Sequence, residues 1–270
     1  MTRDILHFSH ANGFPAVCYR KFFSMLEADF RISSINCIGH DAAYPVTDGW
    51  PHLVAQLIDH LCAHCRGPVV GVGHSLGGYL TFMAAVQRPE LFKCIILLDA
   101  PILGYFKGTA FAMLKRLGLA DRITPAGATR ERRRDWPSVE DMIAHFRRKK
   151  IFRHFDADCL RDYATLGTVA ERGRVRLLFD PEIEYRIYRS FPHDLIYYCN
   201  RLKLPAGFIG GRHSTELRQI GLSHTRRSFR VMRIEGGHLF PFERPQAAAE
   251  AVRQLSAELL GRKVASAPRP

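Results

Sequence analysis

The sequence predicts an α/β fold in which a mostly parallel sheet of about six strands is flanked by helices. Short apolar strands alternate with helical segments in both end regions of the chain, which is typical of such a sheet. A Gly-x-Ser-x-Gly motif at residues 73–77 separates an apolar run from a helix-forming stretch. The chain has 270 residues, of which 47% are hydrophobic, and can therefore form one large core with an insertion.

Each predicted strand is a short apolar run. We predict strands at residues 4–8, 30–35, 68–73, 94–99, 205–209 and 229–234. We predict helices at residues 17–28, 51–64, 76–87 and 245–260. Pro51 suits the first turn of the second helix, and Asp48 ahead of it is a start signal.

The alternation of strands and helices stops between Asp99 and Pro205, where the sequence favours helices. Ser138 and Asp180 each precede acidic residues, which predicts two helix starts. We therefore predict a core made of residues 1–100 and 204–270. Residues 101–203 are expected to form a helical cap, or lid, above the strand ends, where parallel sheets bind ligands. Residues 264–270 are expected to fray.

The motif at residues 73–77 predicts a nucleophile. Glycine at positions 73 and 77 tolerates the close backbone approach of a sharp strand-to-helix turn. Such a turn presents Oγ of Ser75 in a cleft at the end of the sheet. The N–H groups at the start of the following helix then face any negative charge that forms beside this oxygen.

Attack by a serine on a carbonyl group requires a base. It also requires hydrogen-bond donors for the oxyanion, the negative charge that forms on the carbonyl oxygen. Ser75 is a poor nucleophile unless a base takes its proton. Of the thirteen histidines, His238 directly follows the last predicted strand and two glycines, at the same sheet edge as the serine. The backbone N–H groups of Phe14, after the first strand, and Leu76, after the serine, are the candidate oxyanion donors.

With these motifs the chain resembles the α/β-hydrolase superfamily, in particular serine esterase-like and lipase-like members with a helical cap. Residues 12–15 resemble the oxyanion loop of the family, residues 73–77 its nucleophile elbow, and residues 237–238 its terminal histidine. The chain begins almost at the oxyanion strand, so the first two strands of the family are expected to be missing.

The acid of the triad is a second departure from the family. Where the family usually places this residue, after the penultimate strand, the chain has His213. The acid fixes the tautomer of the histidine and stabilises its protonated form. Asp99, at a position that some family members use, is the first candidate for the acid, and Glu216 is the alternative.

The charge of the chain is +13 at pH 7, and the excess lies after residue 100, since residues 1–100 carry 7 basic and 8 acidic groups. Basic runs at residues 132–134 and 147–150 could contact nucleic acid or anionic lipid. Acidic residues interleave with them, which favours a solvated helix face and no nucleic-acid partner. No run has the length of a signal peptide or a membrane span, which predicts a cytoplasmic protein without a transmembrane segment.

Seven cysteines in such a chain are interpreted as reduced thiols. His60, Cys62 and His64 lie on one predicted helix and Cys65 directly follows it, but no second pair stands at zinc-site spacing. We therefore expect no metal, and the chemistry of the predicted site requires no organic cofactor.

The predicted function is a serine hydrolase that cleaves a small-molecule carboxylic ester or a related acyl substrate through an acyl-enzyme. A thioesterase, amidase, acyltransferase or carbon–carbon bond hydrolase could use the same triad. A catalytically degenerate binding protein with this fold is the alternative of another class. The sequence gives no support for a homo-oligomer. The predicted cap contains aromatic residues that could line an acyl pocket or form the cap's own core, namely Phe106, Phe111, Trp136, Phe146, Phe152, Phe155, Tyr163, Tyr185 and Tyr188.

Overall fold

The computed structural model describes residues 3–262, and the predicted tail at 264–270 lies outside them. Within this range the strands are β1 (Asp4–Ser9), β2 (Phe30–Ser34), β3 (Val69–His74), β4 (Phe92–Leu98), β5 (Asp135–Trp136), β6 (Thr168–Glu171), β7 (Arg174–Leu177), β8 (Ala206–Gly211) and β9 (Arg230–Ile234). The α-helices are α1 (Arg20–Ser24), α2 (Pro51–His64), α3 (Leu76–Gln87), α4 (Tyr105–Arg116), α5 (Ala120–Ile123), α6 (Ala126–Arg130), α7 (Val139–Arg147), α8 (Ala157–Leu166), α9 (Pro181–Arg189), α10 (Ile196–Cys199), α11 (Thr215–Ile220), α12 (Thr225–Ser228), α13 (Phe240–Glu243) and α14 (Pro245–Leu259).

Six strands form one parallel sheet in the order β2-β1-β3-β4-β8-β9. The chain leaves β1 for β2 on one side and returns to β3 on the other side. Such a reversal opens a crevice at the carboxyl ends of the two strands, where open α/β sheets bind ligands. The predicted fold class is confirmed.

Helices cover both faces of this sheet, so its central strands are buried on both sides. In β4, Cys94 and Ile96 belong to one apolar cluster, whereas Ile95 and Leu97 belong to another. Alternate strand residues point to opposite faces. Helices α2 and α3 pack together and α3 contacts β3 and β4, while α14 contacts β4, β8 and β9. This double burial explains why β3 and β4 are continuous apolar runs in the sequence.

The six predicted strands of the main sheet agree with the structure to within two residues, and α2 and α3 have the predicted bounds. The first predicted helix is wrong in part, because residues 16–19 form a 3₁₀ turn ahead of the short α1. Asp48 does not cap α2. Trp50, in the left-handed region at φ 61°, precedes that helix without a side-chain cap, and the carboxylate of Asp48 instead pairs with Lys115.

Between β4 and β8 the chain contains helices and also a small antiparallel sheet in the order β5-β7-β6. The antiparallel sheet is a difference from the sequence pattern, which predicts helices alone in this region. Arg172 and Gly173 join β6 to β7 with φ of 50° and 73°, as in a two-residue hairpin turn with positive φ at both positions. The predicted helix starts are confirmed, because Oγ of Ser138 accepts from the N–H of Asp141 and the Asp180 carboxylate from the N–H of Glu182.

Among residues 3–262, no helix is both long and apolar enough to cross a membrane.

Candidate active site

Ser75 lies in the turn between β3 and α3, with φ 52° and ψ −114°. Positive φ is unfavourable for a residue with a side chain, so the surrounding packing must hold this turn. A Cβ on Gly73 would lie 2.1 Å from the carbonyl O of Gly77, and a Cβ on Gly77 would lie 2.0 Å from the carbonyl O of Ser9. Both contacts are far inside van der Waals distance, so the turn requires glycine at 73 and 77.

His238 reaches Ser75 from the loop that follows β9. Its Nε2 lies 3.0 Å from Oγ of Ser75, which is within the range of a hydroxyl hydrogen bond to a base. The His238 side chain is 22% exposed, and Ser75 is also only partly buried.

Asp99 directly follows β4, and its Oδ2 lies 2.7 Å from Nδ1 of His238. The Oε2 atom of Glu216 lies 3.7 Å from the same Nδ1, which is too long for a hydrogen bond. Nδ1 therefore donates to Asp99, while Nε2 is free to accept from Ser75. The structure brings Ser75, His238 and Asp99 together in one continuous hydrogen-bonded chain.

Backbone and side-chain donors hold the Asp99 carboxylate, which is 1% exposed. Oδ1 accepts from the N–H of Gly211 at 2.9 Å, and Oδ2 accepts from the hydroxyl of Ser214 at 2.6 Å. Ser214 also caps α11 by accepting from the N–H of Leu217. The sequence analysis missed Gly211 and Ser214, because only the pairing of β4 with β8 brings them beside Asp99.

The electrostatics around His238 favour its charged form. Burial lowers the pKa of this histidine, but the hydrogen bond and charge of Asp99, with the charges of Glu216 and Glu243, raise it above the ordinary value. Burial raises the pKa of Glu216, but the His238 charge and hydrogen bonds within residues 214–216 outweigh this effect, so the net pKa is lowered. The carboxylates of Asp99, Glu216 and Glu243 thus stabilise the imidazolium that forms when the ring takes a proton.

The two predicted oxyanion donors differ in the structure. Within residues 3–262, no acceptor is found for the N–H of Leu76, the first residue of α3. The N–H of Phe14 instead donates to the carbonyl O of Ala11 at 3.1 Å. Gly13, at φ 80°, lets residues 11–14 close as a β-turn, which uses this donor. The N–H of Phe14 is therefore already hydrogen-bonded in this conformation.

A buried ion pair from the inserted segment lies against this turn. The Glu184 carboxylate is in contact with Gly13, so that a Cβ there would lie 2.7 Å from Oε1. Nη1 of Arg132 lies 2.6 Å from Oε2 of Glu184, and the two side chains are 18% and 6% exposed. Arg132 also donates to the hydroxyl of Tyr163, and Nδ2 of Asn12 donates to the carbonyl O of Glu184.

Arg132 thus differs from the rest of its basic run. The predicted solvated face holds for residues 133–134 and 147–150, which are exposed, but is wrong for Arg132.

His213, at the usual place of the family's acid, is also exposed, and its Nε2 lies 3.0 Å from Glu235.

Among the described residues, one group of at least three His, Cys, Asp or Glu side chains could hold a metal ion. It consists of Asp99, Glu216 and His238, whose ligand atoms lie within 4.8 Å of one another. His60, Cys62, His64 and Cys65 do not form such a group within that part of the chain.

Most of the aromatic residues after β4 pack inside the protein. Trp136, Phe146, Phe152 and Tyr163 belong to a buried apolar cluster, whereas Phe106 is 87% exposed. A separate cavity of about 560 Å³ lies between α4, α9 and the loop ahead of α2. No residue of the Ser75–His238–Asp99 chain lines it.

Comparison with known proteins supports the hydrolase interpretation of the fold. A profile of the alpha/beta hydrolase family matches residues 8–251. No curated protein sequence is significantly similar to the chain. Among solved structures, E-2-(acetamidomethylene)succinate hydrolase is similar with a TM-score of 0.75 and 18% identity, over 94% of this chain and 92% of that chain.

Two further solved structures are similar. One is the thioesterase domain from the curacin biosynthetic pathway, with a TM-score of 0.70 and 16% identity over 93% of this chain and 91% of that chain. The other is an esterase of M. tuberculosis, with a TM-score of 0.72 and 21% identity over 95% and 86%. At these identities, the similarity concerns the fold.

Proposed function

The chain belongs to the alpha/beta hydrolase family, and on that premise we propose that it is a serine hydrolase that cleaves carboxylic esters through an acyl-enzyme. The observation that carries this proposal is the continuous path from Ser75 Oγ through His238 to Asp99, with distances of 3.0 and 2.7 Å. The intact acid argues against a degenerate, purely binding protein, because the histidine retains the partner that fixes its tautomer.

In the proposed reaction, Nε2 of His238 takes the Ser75 proton as Oγ attacks the ester carbonyl carbon. Asp99 stabilises the imidazolium formed in this step. The imidazolium then protonates the leaving alcohol, and the acyl group stays on Oγ of Ser75. His238 next takes a proton from water, whose oxygen attacks the acyl carbon, and returns the proton to Ser75 as the acid leaves.

The N–H of Leu76 is the proposed first donor to the oxyanion, because it begins α3 beside Ser75. The proposed second donor is the N–H of Phe14, which must exchange the carbonyl of Ala11 for the developing negative charge. We also propose that residues 101–203 act as a cap over the site. The contacts of Glu184 and Tyr163 with Gly13 support this role.

The experiment that tests this function is a set of initial rates on p-nitrophenyl esters from acetate to palmitate near neutral pH. Wild type is compared with Ser75→Ala and with Ser24→Ala, a change at an exposed serine. We expect turnover in wild type and Ser24→Ala and its loss in Ser75→Ala. Equal rates in all three proteins would refute the proposal. The rate on a thioester of the preferred chain length, compared with the rate on the matching ester, then distinguishes an esterase from a thioesterase.

A further inference from the structure

Two buried side chains, Tyr19 and His74, connect the loop after β1 with the loop that carries His238. The N–H of Ala11 donates to Oη of Tyr19 at 3.2 Å, and Oη lies 2.8 Å from Nδ1 of His74. Nε2 of His74 lies 2.9 Å from the carbonyl O of His238. Tyr19 and His74 are at most 1% exposed, so solvent does not compete for these bonds.

Backbone groups at the two ends fix the direction of every bond in this path. A carbonyl oxygen only accepts, so Nε2 of His74 must carry a proton. Burial, with the nearby His238, lowers the pKa of His74 to about 3, so Nδ1 of the neutral ring accepts. The hydroxyl of Tyr19 therefore donates to Nδ1, and its oxygen accepts from Ala11. One arrangement of protons satisfies all of these groups.

The residues just before His238 have backbone hydrogen bonds of their own, because the carbonyl O of Gly236 accepts from the N–H of His213 at 2.9 Å and that of Gly237 accepts from the N–H of Phe240 at 3.3 Å. Two glycines precede His238, and Gly236 has φ 124°, a conformation that other residues rarely adopt. The N–H of Gly237 donates to Glu243 at 2.7 Å. Among the described residues, the bond from His74 is the one hydrogen bond made by the backbone of His238 itself. Because His74 is the residue directly before Ser75, this bond ties the base to the strand that carries the nucleophile.

We propose that Tyr19 and His74 are positioning residues that hold His238 at the distance from Ser75 that proton transfer requires. This inference rests on the proposed function of Ser75 and His238. Neither Tyr19 nor His74 touches the reacting atoms. Their effect is on the carbonyl of His238 and, through the backbone, on the placement of its imidazole.

Removing the Tyr19 hydroxyl should release the loop. In Tyr19→Phe, Nδ1 of His74 loses its donor, and the ring loses the hydrogen bond that fixes its orientation. The ring can then rotate, which weakens the bond from its Nε2–H to the His238 carbonyl. A misplacement of about 1 Å at a catalytic group costs about 10²-fold in rate. We therefore expect kcat to fall by about 10- to 100-fold, with KM within about threefold of wild type.

The test compares wild type with Tyr19→Phe, His74→Leu and His74→Gln. Each kcat is divided by the fraction of Ser75 that reacts to completion with a fluorophosphonate, so misfolded protein does not count. Tyr185→Phe is the matched control, because it removes a buried tyrosine hydroxyl that donates to Asp121 at 3.0 Å outside this path. The glutamine amide can still donate toward the His238 carbonyl, so His74→Gln should recover most of the activity lost in His74→Leu.

A purely structural role for Tyr19 and His74 gives a different result. It would lower the melting temperature and the reactive fraction of Ser75, but leave kcat per reactive site at the wild-type value. That outcome, or an equal loss in Tyr185→Phe, would overturn the proposal.

Nitrogen-15 NMR of the histidine rings gives a readout independent of turnover. We expect His74 to be a neutral Nε2–H tautomer from about pH 5 to about pH 9 in wild type, and we expect the chemical shift of its Nδ1 to change in Tyr19→Phe because that nitrogen loses its hydrogen bond. An Nδ1–H tautomer in wild type, or titration of His74 in this range, would overturn the hydrogen-bonded path. If wild type neither turns over esters nor takes the phosphonate, the proposed function and the positioning role both fail, whatever tautomer is seen.

Discussion

Asp99 and His238 lie 139 positions apart in the chain, yet Oδ2 of the first is 2.7 Å from Nδ1 of the second. Asp99 follows β4, and His238 follows β9. Between these strands lies β8, whose last residue, Gly211, donates its N–H to the Asp99 carboxylate. Strand β8 thus supplies a backbone donor to the carboxylate of Asp99. In the usual arrangement of the family, the residue after this strand is the acid itself.

The first prediction concerns which carboxylate acts as the acid. Asp99→Asn should reduce kcat by about 10⁴-fold, because an amide cannot hold the same tautomer of His238. Glu216→Gln should cost far less, because its carboxylate lies 3.7 Å from Nδ1. Single-turnover or steady-state rates on the best ester check both. A larger loss in Glu216→Gln than in Asp99→Asn would make Glu216 the acid.

The second prediction concerns pH. In the proposed reaction His238 acts as a base in its neutral form, so kcat/KM should fall as the pH drops through its raised pKa. The charge of Glu216 contributes to raising that pKa. Glu216→Gln should therefore lower the pKa and move the acid limb of the kcat/KM profile to lower pH. His213→Gln, at an exposed ring paired with Glu235, should leave the profile unchanged. An acid limb of the kcat/KM profile that stays at the wild-type pH, or moves to higher pH, in Glu216→Gln would contradict this role of Glu216.

Much of the sheet could be predicted because its strands are buried on both faces. Residues 69–72 of β3 and residues 94–98 of β4 are continuous apolar runs bounded by polar or turn residues. Such runs separated by helical stretches favour one topology. The small sheet of β5, β7 and β6 gives no such pattern, because its strands have two to four residues and are partly exposed.

The candidate site was predictable where the chemistry belongs to a local motif. Ser75 and His238 each stand in a sequence context that their backbone geometry requires. The choice between Asp99 and Glu216 depended on a distance across three strands, which no local pattern encodes. Arg132 was misjudged for the same reason, because its partner Glu184 is remote in sequence. The hydrogen bond from the N–H of Phe14 to Ala11 depends on how the Gly13 turn closes, which the local motif does not specify.

The third prediction concerns divalent metal ions. Asp99, Glu216 and His238 present ligand atoms within 4.8 Å of one another, and Zn²⁺ binds imidazole nitrogen and carboxylate oxygen. A Zn²⁺ ion at Nδ1 displaces the proton that His238 donates to Asp99, so added Zn²⁺ should inhibit. EDTA should reverse this inhibition and leave the untreated enzyme unchanged. Glu216→Gln should weaken the inhibition by about tenfold. Loss of activity on EDTA treatment alone would instead indicate a required metal.

The fourth prediction concerns the ion pair between Arg132 and Glu184. Arg132→Met leaves a carboxylate with 6% side-chain exposure unpaired, which should lower the free energy of unfolding by about 3–5 kcal/mol. The double variant with Glu184→Gln should lose less, because no buried charge remains. Arg148→Met, at an exposed arginine, should stay within about 0.5 kcal/mol. Urea unfolding measures all of these variants, and a cost for Arg132→Met as small as that of the control would contradict the role of the pair.

The central claim is that Ser75 forms the covalent acyl-enzyme, and the most direct measurement is the site of reaction with a fluorophosphonate. Intact mass followed by peptide mapping identifies the modified residue in wild type and in Ser75→Ala. The account predicts a single adduct on Ser75 in wild type and none in the variant. An adduct on another residue, or no adduct on a folded wild-type protein, would contradict it.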